Sequence, residues 1–200
     1  MARNPNLPPS ERRLARIRGV LARRQKDLTL VLSNIHDPHN VSAIYRSCDA
    51  FGVHSVHLHY TSTAFPSLGR KSSGSARKWV ETVRHKNRDE LAAALHVMDA
   101  TIIATSFSKD AKPVTDFDFT KPTAVIFGNE HSGVEDELKE IAHAEAYIPM
   151  MGMVQSLNVS VAAAVTLFEA WRQRNEAGMY DTPNMSSEEL AALEAAWCKL

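Results

Sequence analysis

Residues 147–164 read YIPMMGMVQSLNVSVAAA, and the interpretation of the rest of the chain depends on this stretch. A short β-like run, 146–148, bends at Pro149 and passes Gly152 in a Met-rich loop, and a helix is predicted from Ser156. Ser156 and Asn158 fall in its predicted first turn, where free N–H groups and the positive end of the helix dipole lie. Apolar residues recur at helical spacing, namely Leu157, Val161, Val165 and Phe168. Alone, the pattern is equally typical of a capped core helix behind a loop.

The composition is that of one soluble globular domain with small extensions. The chain has 200 residues, 44% hydrophobic and 23% charged. No stretch has the length of a membrane span and residues 1–13 lack a signal-peptide pattern, so we expect a cytoplasmic protein. The two cysteines, Cys48 and Cys198, suit reduced thiols. His57 and His59 alternate along a predicted strand without further ligands, so we interpret them as surface residues and expect no metal site.

Charge is unevenly distributed although its sum is zero. Arginines are concentrated before Lys26 and acidic residues near the C-terminus, which favours contact with a polyanion at the basic end. A helix is predicted from Ser10, and a solvated charged face is the alternative interpretation of its arginines. The loop at 61–78 is also cationic and rich in Gly and Ser, a composition suited to phosphate contact. The candidate polyanion-binding residues are Arg12, Arg16, Arg23, Arg24, Arg70, Lys71 and Arg77.

The order of elements predicts a parallel α/β layer. Strands are predicted at 28–32, 55–59, 101–106 and 123–127, and helices at 40–52, 89–98 and 135–142, the first of them capped by Asn40. The Gly-rich turn GNEHSGV at 128–134 has neither a Walker A nor a G-x-G-x-x-G pattern, which disfavours a Rossmann site. Two residues stand out, Glu130 in this turn and Arg46 on the first predicted helix. The alternative interpretation of Glu130 is that it caps the next helix. The alternative interpretation of Arg46 is that it forms a surface ion pair with Asp49.

Three stretches together carry one resemblance. The segments NIHDPHNVSAIYRSCDAFG, AVIFGNEHSGV and YIPMMGMVQSLNVSVAAAV resemble motifs one, two and three of the SpoU branch of the SPOUT RNA methyltransferases. The similarity is greatest to the TrmH type, which methylates the 2'-hydroxyl of guanosine 18 in the D-loop of tRNA. It extends over roughly residues 12 to 180, and three ordered motifs are far more specific than one.

The resemblance implies a fold and partners. We expect a SPOUT α/β fold, mainly a parallel sheet flanked by helices, with a C-terminal deep trefoil knot and helical extensions at both ends. The expected divisions are a basic RNA-binding extension at 1–27, a methyltransferase domain at 28–174 and a helical tail at 175–200. Ser186 and Glu189 should start the tail helix with a capping box. The resemblance also implies a homodimer, tRNA as partner and S-adenosylmethionine as cofactor.

The resemblance further implies site residues. Its catalytic positions correspond to Asn40, Arg46, Glu130, Ser156 and Asn158, and its cofactor pocket to Thr105, Gly128, Ile148, Met150, Ser156 and Leu157. The motif-one arginine would be the base that activates the ribose hydroxyl, or would instead clamp a substrate phosphate because a guanidinium stays protonated. Two alternative functions stay open: 2'-O-methylation of another tRNA position or of rRNA, and a non-catalytic RNA-binding module.

Overall fold

The computed structural model describes residues 9–66 and 76–200. The strands are β1 (Leu28–Ser33), β2 (Ser55–His59), β3 (Glu81–His85), β4 (Thr101–Thr105), β5 (Lys112–Pro113), β6 (Thr123–Phe127) and β7 (Ala144–Tyr147). The helices are α1 (Glu11–Leu21), α2 (Pro38–Ala50), α3 (Arg88–Val97), α4 (Asp136–Lys139), α5 (Val159–Glu176) and α6 (Ser187–Cys198).

Seven strands form one sheet in the order β3-β2-β1-β6-β4-β7-β5, and every strand pair is parallel. All six residues of β1 are buried. Leu30 packs in the core shared with α2 and α5, whereas its neighbour Val31 packs in the core shared with α3 and α4. This alternation follows from the two-residue period of a strand, and helices on both faces explain the unbroken apolar run. The predicted parallel α/β fold is confirmed.

The two terminal helices pack against each other. Ile17 and Leu21 of α1 form a small core with Trp197 of α6. The Arg18 guanidinium donates to both carboxylate oxygens of Glu194 at 2.8 and 2.9 Å, and an ion pair joins Lys26 to the tail at 2.9 Å. Part of the charge asymmetry is therefore satisfied within the chain. The capping box that opens α6 is present.

Helix α5 packs two alanines and a leucine against the core. Ala163, Leu167 and Ala170 are buried, whereas larger apolar residues on the other side are exposed, namely Val161, Val165 and Phe168. Near its end, the fully buried Arg174 donates to Asp27 at 2.6 Å and to backbone carbonyls, which fixes the helix against the start of β1. None of the helices within 9–66 and 76–200 is long and apolar enough to cross a membrane.

Several predicted boundaries were wrong. Helix α5 starts at Val159 with Asn158 as its N-cap, so Ser156 lies in the preceding loop. Helix α2 is capped by Asp37, and Asn40 lies inside its first turn. The third helix, α3, starts one residue early and α4 is only one turn long. Strand β3 was not predicted, because an edge strand with the sequence ETVRH buries little apolar surface.

Candidate active site

A cavity of about 1060 Å³ opens where β4, β6 and β7 end. All six residues expected in a cofactor pocket line it: Thr105, Gly128, Ile148, Met150, Ser156 and Leu157. Apolar side chains from the strands, such as Ile103 and Phe127, form its walls. Ligands of parallel α/β sheets bind outside the carboxyl ends of the strands, so the cavity lies where such a fold offers a site.

The turn after β6 is shaped by two glycines. A Cβ atom at Gly128 would lie 2.0 Å from the carbonyl oxygen of Gly133, so no larger residue fits at 128 in this conformation. Gly133 has φ +71, which glycine adopts readily. The turn is closed by paired hydrogen bonds of 2.9 Å between Asn129 and Gly133. This close approach aims residues 129–133 at the cavity, which they line.

Three of the five expected catalytic residues are joined in one hydrogen-bond chain. The Asn40 amide donates to a Glu130 carboxylate oxygen at 2.8 Å, and the Asn158 amide donates to Asn40 Oδ1 at 3.0 Å. Asn158 in turn accepts from the Ser160 backbone N–H at 2.9 Å as the cap of α5. The chain therefore links α2, the turn after β6 and the start of α5, one from each of the three motifs.

Glu130 is held as a carboxylate. Burial raises its pKa, but hydrogen bonds from the Asn40 side chain and from backbone N–H groups, including that of His36 at 3.3 Å, outweigh this effect and lower the pKa below its usual value. A carboxylate of lowered pKa is a weak base. Glu130 is thus suited to orient its neighbours and does not cap α4, whose N-cap residue is Glu135.

The other two expected catalytic residues lie apart from this chain. Ser156 lines the cavity from the loop before α5. Arg46 is exposed on α2 and has no hydrogen-bond or ion-pair partner among the residues described. It does not line the cavity. Its expected surface partner, Asp49, pairs instead with Arg24, so the interpretation of Arg46 as half of a surface pair was wrong.

The predicted basic residues differ in their placement. Arg12, Arg16, Arg23 and Arg77 are exposed, as a phosphate contact requires. Arg24 contradicts its prediction: its side chain is fully buried, donates to the Val53 carbonyl and pairs with Asp49. Its role is structural, because these partners compensate a buried charge that would destabilise the fold if it were unpaired. Arg70 and Lys71 lie outside the described residues.

The prediction that the histidines of β2 are surface residues was wrong. His57 is 5% exposed and His59 is fully buried, so neither is a surface residue. His57 Nδ1 lies 2.8 Å from His85 Nε2. His59 lies between the carboxylates of Glu135 and Glu137. Both faces of the sheet are covered here, which an alternating polar pattern did not reveal.

One basic cluster was only partly predicted, since Arg77 was expected and Arg84 was not. The guanidinium carbons of Arg84 and Arg77 lie 4.6 and 5.8 Å from the centroid of the Phe65 ring, which also makes an edge contact with Tyr60. Arg84 is exposed and belongs to β3. Recognising β3 as a strand beside β2 would have indicated that Arg84 lies near the loop at 61–66.

A cavity at the carboxyl edge of a parallel sheet, bordered by a carboxylate–amide chain, defines an α/β protein with a small-molecule site. The sequence matches the SpoU rRNA Methylase family over residues 27–168, and the chain belongs to that family. It is 47% identical over 190 residues to a tRNA (guanosine(18)-2'-O)-methyltransferase of Thermus thermophilus, and the match covers 95% of this chain and 97% of that relative.

Solved structures of SpoU-type enzymes have a similar fold. The A. aeolicus TrmH/SpoU tRNA modifying enzyme superposes with a TM-score of 0.88 at 40% identity, over 94% of this chain and 95% of that one. The SpoU methyltransferase AviRb from Streptomyces viridochromogenes, in complex with the cofactor AdoMet, gives 0.67 at 28% identity, over 76% of this chain and 62% of that one.

Proposed function

We propose that this protein is an S-adenosylmethionine-dependent methyltransferase that modifies the 2'-hydroxyl of guanosine 18 in tRNA. The observation that carries the proposal is the Glu130–Asn40–Asn158 chain at the edge of the cavity, since it joins all three family motifs. Near-complete coverage of a relative named for this reaction supports the choice of substrate. A relative bound to AdoMet supports the choice of cofactor.

The cavity fits the cofactor in size and chemistry. Its volume of about 1060 Å³ lies just above the usual range of small-molecule sites, about 300–1000 Å³, and its walls are mainly apolar with polar groups at the edge. Gly128 allows the turn that lines the cavity to close, because a Cβ atom there would clash with the Gly133 backbone. Thr105, Gly128, Ile148, Met150, Ser156 and Leu157 would hold the group. When bound, S-adenosylmethionine supplies an activated methyl group on a sulfonium.

The proposed role of the amide chain is positioning. Glu130, ionised because of its lowered pKa, fixes the Asn40 amide, and Asn40 fixes Asn158 at the start of α5. This arrangement holds the loop that carries Ser156, so the ribose oxygen meets a preformed cavity edge. In-line transfer requires such placement, and none of these three residues has to accept a proton.

Arg46 is proposed to clamp a phosphate of the substrate. Its guanidinium is exposed and has no partner among the described residues, so it is available to a polyanion. A fixed positive charge near the ribose would lower the effective pKa of the 2'-hydroxyl, and the proton would leave to solvent or to a neighbouring phosphate. This role is consistent with a guanidinium that stays protonated at ordinary pH.

Exposed arginines in two places are proposed to bind the tRNA backbone. Arg12, Arg16 and Arg23 lie on the outer side of the N-terminal extension. Arg77 and Arg84 lie around the Phe65 ring at the edge of the sheet, where an aromatic surface also suits an unstacked base. Arg70 and Lys71 belong to the same proposal by sequence alone.

The proposed assembly is a homodimer that acts in the cytoplasm. Exposed apolar residues continue from the loop before α5 onto its outer face, and a second copy would cover them: Met151, Met153, Val154, Val161, Val165 and Phe168. We also propose that the C-terminal part of the α/β domain forms the deep trefoil knot of the family, and that methyl transfer needs no metal.

Mapping the methylated nucleotide tests the proposal. Unmodified tRNA is incubated with the protein and labelled cofactor, digested and analysed by mass spectrometry. A single 2'-O-methylguanosine at position 18 is expected. Methylation elsewhere in tRNA, or of rRNA fragments only, would contradict the substrate, and absence of measurable cofactor binding would favour a non-catalytic RNA-binding module.

A further inference from the structure

His59 has an unusual environment at the end of β2. Its side chain is fully buried, and neither ring nitrogen has a hydrogen-bond partner among the residues described. A neutral imidazole carries one donor and one acceptor, and leaving a buried polar group unpaired destabilises the folded state. A buried histidine with two such nitrogens therefore points to a ligand.

Two carboxylates lie on either side of this ring. Glu135 Oε2 is 3.7 Å from Nδ1, and Glu137 Oε1 is 3.6 Å from Nε2. Both separations are longer than a hydrogen bond. Within the described part of the chain, these three residues form the one group of histidine, cysteine and acidic residues whose ligand atoms all lie within 4.8 Å of one another.

Glu135 is already oriented toward this space. Its carboxylate accepts from Ser33 Oγ at 3.0 Å and from the Asn34 amide at 2.6 Å, and its side chain is 26% exposed. Neighbours that orient a ligating carboxylate in this way are typical of metal centres. Glu137 is 47% exposed on the one-turn helix α4, so its side chain can rotate.

We propose that His59, Glu135 and Glu137 bind one divalent transition-metal ion of the zinc type. An imidazole nitrogen with two carboxylate oxygens is a donor set that zinc and cobalt accept. Two ligands of one tetrahedral zinc ion lie about 3.4 Å apart, close to the 3.7 Å between His59 Nδ1 and Glu135 Oε2. The ion takes Nδ1, beside the oriented Glu135. Glu137 rotates from the Nε2 side to reach it, and water completes the coordination.

The proposed ion is structural and independent of methyl transfer. It would join the end of β2 to the segment that follows the Gly128–Gly133 turn, through His59 and Glu135. Glu135 also holds Asn34, whose Oδ1 accepts from the backbone N–H groups of residues 61–63 at 3.2 Å. Binding should therefore stiffen the strand ends around the cavity and raise thermal stability.

The test uses the untagged 200-residue chain after chelator treatment and dialysis. Co²⁺ is the probe, because its visible absorption reports coordination, and calorimetry with Zn²⁺ gives stoichiometry. One ion per chain and a higher melting temperature are expected. Glu137→Gln keeps the size of an exposed side chain and should weaken binding by about tenfold or more. Asp136→Asn is the matched control, since Asp136 is 96% exposed and pairs with Lys139.

Two outcomes would overturn the proposal. One is the absence of Co²⁺ and Zn²⁺ binding by the wild-type protein. The other is equal binding by Glu137→Gln and Asp136→Asn. His59→Gln, checked for folding by circular dichroism, adds a second variant: a folded His59→Gln protein that keeps the Co²⁺ spectrum also contradicts the assignment.

Discussion

Replacing Asn40 by alanine should disable the site without unfolding the protein. Asn40 is 7% exposed, donates to Glu130 at 2.8 Å and accepts from Asn158 at 3.0 Å. A hydrogen bond to a charged group contributes about 1.5–3 kcal/mol and a neutral one about 0.5–1.5 kcal/mol. If both are needed in the transition state, turnover should fall between about 30-fold and about 2000-fold.

The assay is transfer of labelled methyl groups to unmodified tRNA, with cofactor affinity measured separately by calorimetry. Cofactor affinity should change only a few-fold, because Asn40 does not line the cavity. Asn87→Ala is the matched control: it removes an asparagine that caps α3, and should cost stability but not activity. Turnover of Asn40→Ala within about twofold of wild type would refute the reasoning.

Three further predictions concern charge. Arg46→Ala should abolish transfer while cofactor affinity stays within a few-fold, and Arg46→Lys should restore only part of it, as single-turnover assays would show. Burial lowers the pKa of His57 to about 4, so the unfolded chain gains a proton first as pH falls from about 6.5 to about 4. The free energy of unfolding should fall by on the order of 3 kcal/mol over this pH range, and by less in His57→Asn. Urea denaturation at each pH measures it. The exposed arginines of the extension are neutralised in Arg12→Gln, Arg16→Gln and Arg23→Gln. Each lost phosphate contact should reduce the slope of log tRNA affinity against log salt by about one unit. Arg24→Met should alter the stability of the fold and leave that slope unchanged.

The sequence predicts elements well where burial is continuous. The runs LTLVL and TAVIF are fully buried and became β1 and β6, since both faces of a parallel sheet are covered. The start of α6 was also predictable, because a capping box is a local signal. Local patterns of this kind depend on residues that are close in the chain.

Long-range pairing could not be predicted. Arg24 is buried because Asp49 and the Val53 carbonyl lie beside it. Both neighbours are distant in sequence, so the basic segment around Arg24 does not indicate them. His59 is buried because Glu135 and the loop before α4 cover the end of β2. The start of α5 was misplaced because Ser156 and Asn158 are both good caps, and only the contact with Asn40 distinguishes them.

Within the candidate site, the motif resemblance predicted which residues line the cavity better than the local sequence pattern did. Six expected cofactor residues line one cavity, although they come from separate segments of the chain. The link between Asn40 and Glu130 spans 90 residues, so no spacing rule indicates it. Arg46 stays a prediction, since its proposed partner is a phosphate outside this chain.

The most direct test of the proposed reaction is methyl transfer to a tRNA that carries 2'-deoxyguanosine at position 18. This substrate differs from normal tRNA by one hydroxyl, the proposed acceptor. The wild-type protein should methylate unmodified tRNA to completion and leave the deoxy-substituted tRNA unmethylated, while binding both with similar affinity. Equal methylation of the two substrates would contradict the account.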